Sequence, residues 1–259
     1  MPRTESKTRV GGAYQGIDAE SMLEARLWRL SVNFKSRVFL CAALISFLNQ
    51  PYALTQGTQA PATTVEHRKT SEPYTGDLSI FDSAGRAERL HVNRVMDVLG
   101  IAPGKIVADI GAGSGWFTVR AARRVGEAGV VYAVDINPEA VRYIGGRAQK
   151  ENLHNVKTIL SKADDPLLPP DSVDAVLLLK TYHEVADPVA LLRNLRPALR
   201  PGAKVGVIDR NGNGEDHGVG REVVLREAKE AGYRLLEQYD FVKGDKMDYF
   251  LVFTPKPTP

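Results

Sequence analysis

Three sets of residues in this 259-residue chain have the types and spacing to do chemistry. The first is the glycine loop Gly111-Ala112-Gly113-Ser114-Gly115, which joins an apolar run at 106–110 to an amphipathic segment at 116–125. A strand that turns through glycines into a helix presents backbone N–H groups, where polar or anionic ligand groups settle. A side chain at Gly111 or Gly113 would hold a ligand away from that backbone. The second set is acidic: Asp109 within the first apolar run, Asp135 closing the next, and Asp164-Asp165 after the third. An unpaired carboxylate is costly to bury in an apolar strand. Asp109 is therefore expected to face a ligand or to orient the loop. The third set follows two later apolar runs: Lys180-Thr181-Tyr182-His183-Glu184, then Asp209-Arg210-Asn211, with His217 in the glycine-rich stretch beyond. A histidine takes up a proton near neutral pH and can act as a general base.

The glycines read G-x-G-x-G. The dinucleotide pattern would want its third glycine one place later, where Trp116 stands. Core packing is the expected role of that tryptophan.

These residues need a frame. Apolar runs predict strands over 106–110, 130–134, 156–160, 173–179, 204–208, 233–241 and 249–253. Helical periodicity fills 84–99, closed by Gly100, then 116–125, 138–149, 188–199 and 220–231. Alternating strands and helices make an α/β fold with a parallel sheet covered on both faces. The last two strands break the alternation. Gly244-Asp245-Lys246 and near neighbours are too short for a parallel crossover, so this pair must be antiparallel.

With those elements in place, residues 80–255 resemble the class I S-adenosylmethionine-dependent methyltransferases. VADIGAGSGWFT looks like the family's first motif and VYAVDINPEA the second. Ala163-Asp164-Asp165 with LLPPDSVDAVLLL resembles the third and fourth, and LRPGAKVGVIDRN the strand-five motif. DSVDAVLLLKTYHEVADP is most similar to the quinone-biosynthesis C-methylase type. The resemblance implies a seven-stranded Rossmann-like sheet in the order 3-2-1-4-5-7-6, its last strand antiparallel. It also implies S-adenosyl-L-methionine lying across the carboxyl ends of the strands, and a small-molecule acceptor methylated at carbon or oxygen.

On that picture Asp135 accepts from both ribose hydroxyls, beside Ile136, and Asn137 caps the helix that follows. Asp164 accepts from the adenine amino group, unless Asp164 and Asp165 are only turn residues before Pro166. Asp109, Gly111, Ala112, Gly113 and Gly115 serve the amino acid end of the cofactor, and Lys180 joins the binding set. His183, Tyr182 and Asp209 are the catalytic candidates. His183 is either the base or a packed residue near the cofactor, and Tyr182 is either a pocket wall or core. Tyr74, Phe81 and Arg86 are expected to form a lid, as in many family members.

Absences narrow the chemistry. The lone cysteine, Cys41, lies in an apolar leader, which removes cysteine-nucleophile and thiol-dependent arsenic mechanisms. Lys180-Thr181-Tyr182-His183 is unlike the N/D-P-P-Y/F box of adenine and glutamine methylases. Lys180 stands where the metal-dependent catechol type wants an aspartate, and Arg210 separates Asp209 from Asn211. No metal is expected. The net charge is only +3, its excess lies before residue 38, and no basic stripe crosses the domain, so nucleic acid is not an expected partner.

Three regions are expected: 1–53 a leader, 54–74 a flexible linker rich in Pro and Thr, and 75–256 the domain. Arg26, Arg29, Lys35 and Arg37 precede VFLCAALISFL at 38–48. That run is shorter than the roughly 20 residues of a membrane span and reads as a secretory signal or an anchor. Export to the periplasm or membrane anchoring is the expected location, with the cytoplasm as the alternative. Two other functions stand beside methyl transfer: a cofactor-binding module without turnover, and a dinucleotide-dependent oxidoreductase. The oligomeric state is not legible.

Overall fold

The computed structural model describes residues 68–70, 74–213 and 217–257; the leader and nearly all of the linker expected above lie outside the described residues. Seven strands form one sheet: β1 Ile106–Ile110, β2 Val130–Asp135, β3 Val156–Leu160, β4 Val173–Leu179, β5 Leu199–Asp209, β6 Tyr233–Tyr239 and β7 Tyr249–Pro255. Their order is β3-β2-β1-β4-β5-β7-β6. The first five are parallel, and β7 runs antiparallel to both β5 and β6. The order reverses between β1 and β4, and the crevice outside the carboxyl ends at such a reversal is where open α/β sheets bind ligands.

Among the described residues six α-helices accompany the sheet: α1 Arg86–Arg89, α2 Val92–Leu99, α3 Trp116–Val125, α4 Pro138–Lys150, α5 Pro188–Leu195 and α6 Arg221–Glu230. The period of two along the strands divides the core. Val107, Ala175, Leu177, Phe250 and Val252 meet α2 and α3, whereas Ala108, Val176, Leu178, Leu251 and Phe253 meet α5 and α6. Helix starts follow their sequence signals. Asn137 accepts from the Glu139 amide with Pro138 at the first helical position, and Asp187 does the same for α5 before Pro188.

Two expected elements change. The continuous helix over 84–99 is divided at His91, whose φ is +53°. Arg86 and Arg89 tie α1 to Asp245 in the β6–β7 connection, while α2 lays Val92, Val95, Met96 and Leu99 into the core. No single helix axis satisfies both. The helix expected over 188–199 stops at Leu195. A 3-10 turn at Arg196–Ala198 follows, and β5 starts early at Leu199 because Leu199 already pairs with Val173.

Candidate functional site

The loop between β1 and α3 gathers the carboxyl end of β2. Gly111, Gly113 and Gly115 have φ of +70°, +56° and +73°, a region costly for L side chains. A Cβ on Gly111 would overlap the Thr181 side chain, and one on Gly115 would press on Ile144 at 3.1 Å. The loop amides turn inward. Gly111 and Ala112 donate to the Val134 carbonyl at 2.8 and 3.1 Å, Gly115 donates to Ala112, and Gly113 donates to Asp135 Oδ2 at 2.8 Å. Those four amides are spent on the loop itself and on β2. The side chain of Ala112 packs with Ala133 and Ile144, so its part in the site is confined to the backbone.

Asp135 is held from two sides: besides Gly113, the Asn137 amide donates to Oδ1 at 2.9 Å. Each carboxylate oxygen keeps a second lone pair, so a pair of hydroxyls on the open side can still be accepted. Ile136 beside it is 47% exposed, an apolar surface next to the acid. Asp109 points under the loop, not into the crevice. It is almost wholly buried and accepts from Thr118 Oγ1 of α3 at 2.6 Å. Burial, reinforced by the like charge of Asp135, pushes its carboxyl up to about 7 from the usual 3.8. Of the two roles expected for Asp109, orienting the loop matches this placement.

After β3, Asp165 takes the turn role by accepting from the Leu167 amide at 2.9 Å, while the side chain of Asp164 is exposed. Lys180 follows β4 with φ +54°, its amide on the Ile208 carbonyl and its side chain in solvent. The segment before α1 crosses the crevice. Asn137 Nδ2 donates to the Tyr74 carbonyl at 2.8 Å, and the Phe81 ring stands 3.7 Å from where a Gly113 Cβ would lie. Asp82 fastens this strap by accepting from Ser114 Oγ at 2.6 Å and Arg147 at 2.7 Å. Tyr74 and Phe81 therefore lie beside the start of α4 and the glycine loop. Arg86 holds the same segment by donating to the Phe81 carbonyl at 3.2 Å, and it also stacks on Trp116 at 4.6 Å and bonds Asp245 at 2.9 Å. Trp116 is core, as expected, with Arg120 on the ring as well.

At the ends of β4 and β5 two expected residues meet. Asp209 is fully buried; both its oxygens lie 2.9 Å from His183 Nδ1, and it also accepts from the His183 and Arg210 amides. A carboxylate on Nδ1 fixes the ring and directs Nε2 outward. There Nε2 lies 3.3 Å from Glu184 Oε1, and His217 Nδ1 lies 3.3 Å from the same oxygen. Tyr182 is a correction. It is fully buried, and its hydroxyl donates to Glu227 of α6 at 3.0 Å. Burial and the Glu227 charge hold its phenol well above the ordinary range, so it neither walls a pocket nor exchanges protons. Sequence reasoning passed over Thr118, whose partner lies on another element, and named Thr181 and Glu184 only as part of the segment after β4.

Residues 101–232, just over half of the chain, match the family described as a methyltransferase domain. The chain is 29% identical over 128 residues to the ubiquinone/menaquinone biosynthesis C-methyltransferase of Vibrio campbellii, covering 49% of each. It is 30% identical over 129 residues to the nocamycin O-methyltransferase of Saccharothrix syringae, covering 49% of this chain and 46% of that one. The chain thus spans about half the length of the curated relatives it matches. Among solved structures it resembles a SAM-dependent methyltransferase from Aquifex aeolicus, with 25% identity, a TM-score of 0.62, and coverage of 68% of this chain and 95% of that one.

Proposed function

The chain belongs to the S-adenosylmethionine-dependent methyltransferases, and from that premise we propose that it methylates a small-molecule acceptor at carbon or oxygen. S-adenosyl-L-methionine supplies a methyl group already activated on a sulfonium sulfur. The residues then have to bind, orient and manage one proton. Asp135 accepts the ribose hydroxyls, Ile136 packs against the base, and Asp164 takes the adenine amino group. Tyr74 and Phe81 exclude water from above. His183, oriented by Asp209, receives the acceptor's proton at Nε2, beside Glu184 and His217. Positioning in a closed site supplies most of the remaining acceleration.

The observation that carries this reading over a dinucleotide enzyme is the sheet order β3-β2-β1-β4-β5-β7-β6 with β7 antiparallel. Trp116 also stands where the dinucleotide loop places its third glycine. Calorimetric titration tests the choice: S-adenosyl-L-methionine should bind and NAD should not. Hydrogen bonds to a charged group contribute about 1.5–3 kcal/mol, so Asp135→Ala should weaken binding roughly 10- to 100-fold. NAD binding as tight as that of S-adenosyl-L-methionine would reject the reading. Transfer of a labelled methyl group to quinol and phenol acceptors tests turnover, and its absence on all of them favours a cofactor-binding module.

The proposal extends to location. The basic and apolar stretch at 26–48 serves export or anchoring, bringing the enzyme to a membrane. Among the described residues no helix is long and apolar enough to cross one. Shortened or membrane-bound chain in separated cell fractions supports export or anchoring, and intact chain in the soluble cytosolic fraction rejects it.

A further inference from the structure

The cluster at the ends of β4 and β5 brings two imidazoles and two carboxylates together. Asp209 lies on Nδ1 of His183, which leaves Nε2 as the ring nitrogen that faces Glu184 Oε1 at 3.3 Å. His217 brings Nδ1 to the same oxygen, also at 3.3 Å. One candidate ligand atom from each of the three residues converges here, all within 4.8 Å of one another. A cation placed among them would touch all three.

From this geometry we propose that His183, Glu184 and His217 bind one divalent transition-metal ion, with Asp209 as the outer partner of His183. The spacing fits. Ligands at about 2.0–2.2 Å from a tetrahedral centre stand roughly 3.4 Å apart, close to both 3.3 Å separations. Two imidazoles and one carboxylate favour zinc or a comparable borderline ion over calcium or magnesium, which prefer all-oxygen shells. A carboxylate on the far nitrogen of a ligating histidine is a recurring outer-shell arrangement that fixes the ring and raises its basicity. His183 already has it. Sequence reasoning predicted no metal because it weighed Lys180 and the Asp209–Asn211 spacing, whereas this trio joins two loops 33 residues apart.

Three protein ligands leave a fourth position open, as in catalytic sites. The inference rests on the proposed function at this point: the acceptor lies where that position points. The acceptor class is then a hydroxyl or enol that loses its proton to solvent and binds the ion through its oxygen. With the ion bound, the Nε2 lone pair is used, so His183 acts as a ligand in the loaded protein and as a base only in the stripped one.

The test uses the full chain, free of any histidine tag, stripped with a chelator and titrated with Zn2+ and separately with Co2+. One equivalent should bind, and Co2+ should give the visible absorption of a low-coordinate nitrogen–oxygen site. Losing an outer-shell partner costs about 10- to 100-fold in affinity. Asp209→Asn should fall in that range, and His217→Ala and Glu184→Gln should lose about 100-fold or more. His217 is two-thirds exposed, so its variant should fold. Absence of stoichiometric binding, or equal affinity in the His217 and Glu184 variants, overturns the proposal. Zn2+ binding alongside failed S-adenosyl-L-methionine binding would reject the methyl-transfer reading and leave the metal site standing; the reverse result removes the metal site alone.

Discussion

Asp109 offers a test that reads the buried loop directly. Its carboxyl is wholly enclosed between β1 and α3, accepts from Thr118, and titrates near 7 where an exposed aspartate titrates near 3.8. Between those values the folded protein keeps a proton that the unfolded chain has released. Stability from this group is therefore complete below about pH 4 and is lost as pH rises through 7. At 1.36 kcal/mol per pH unit the whole loss is about 4 kcal/mol, of which roughly 3 kcal/mol falls between pH 5 and pH 8. Asp109→Asn keeps an oxygen for Thr118 and removes the titration. Its amide hydrogens lack a built-in acceptor, which costs about 1–3 kcal/mol at every pH. The diagnostic quantity is accordingly the change in the difference between variant and parent. Urea denaturation at pH 5, 6, 7 and 8 should show that difference moving by about 3 kcal/mol in favour of the variant. A difference that stays constant across the range would refute the burial argument.

Other expectations follow from the same contacts. Gly111→Ala combines a left-handed backbone with overlap of Thr181 and should lower stability by about 2 kcal/mol or more, measured by thermal denaturation. Tyr182→Phe removes the bond to Glu227 and should cost about 1–3 kcal/mol while turnover persists, since the ring belongs to the core; lost turnover in a stable variant would restore its catalytic candidacy. Arg86→Ala should lower the melting temperature through Asp245 and Trp116 and, by releasing the Phe81 carbonyl, weaken calorimetric affinity for S-adenosyl-L-methionine; unchanged affinity would remove Arg86 from the lid. Phe81→Ala uncovers the glycine loop, and stopped-flow measurement should show faster release of the bound nucleoside.

What could be read from the sequence was what local pattern determines. The glycine run, the Asn137-Pro138 helix start and the antiparallel β6–β7 pair each follow from neighbours within a dozen residues, and the structure contains all three. The strand order came from the family resemblance, and the sheet follows it. What escaped is set by distant partners. His91 breaks an otherwise continuous helical pattern because α1 answers to Asp245, and nothing near His91 announces that. The direction of the loop amides depends on where β2 ends. Tyr182 and His183 are adjacent in sequence with similar apparent promise, yet one turns to Glu227 beneath the sheet and the other to Asp209 at the strand ends.

The placement of β7 has a consequence for biosynthesis. The strand that occupies the gap between β5 and β6 is the last of the seven to emerge from a ribosome. Until it arrives, β5 presents an unpaired edge and β6 has no neighbour, so the nascent chain carries a vulnerable half-sheet open to self-association. Closure must await the emergence of that strand, which makes the interval before it appears the moment of greatest need for a chaperone.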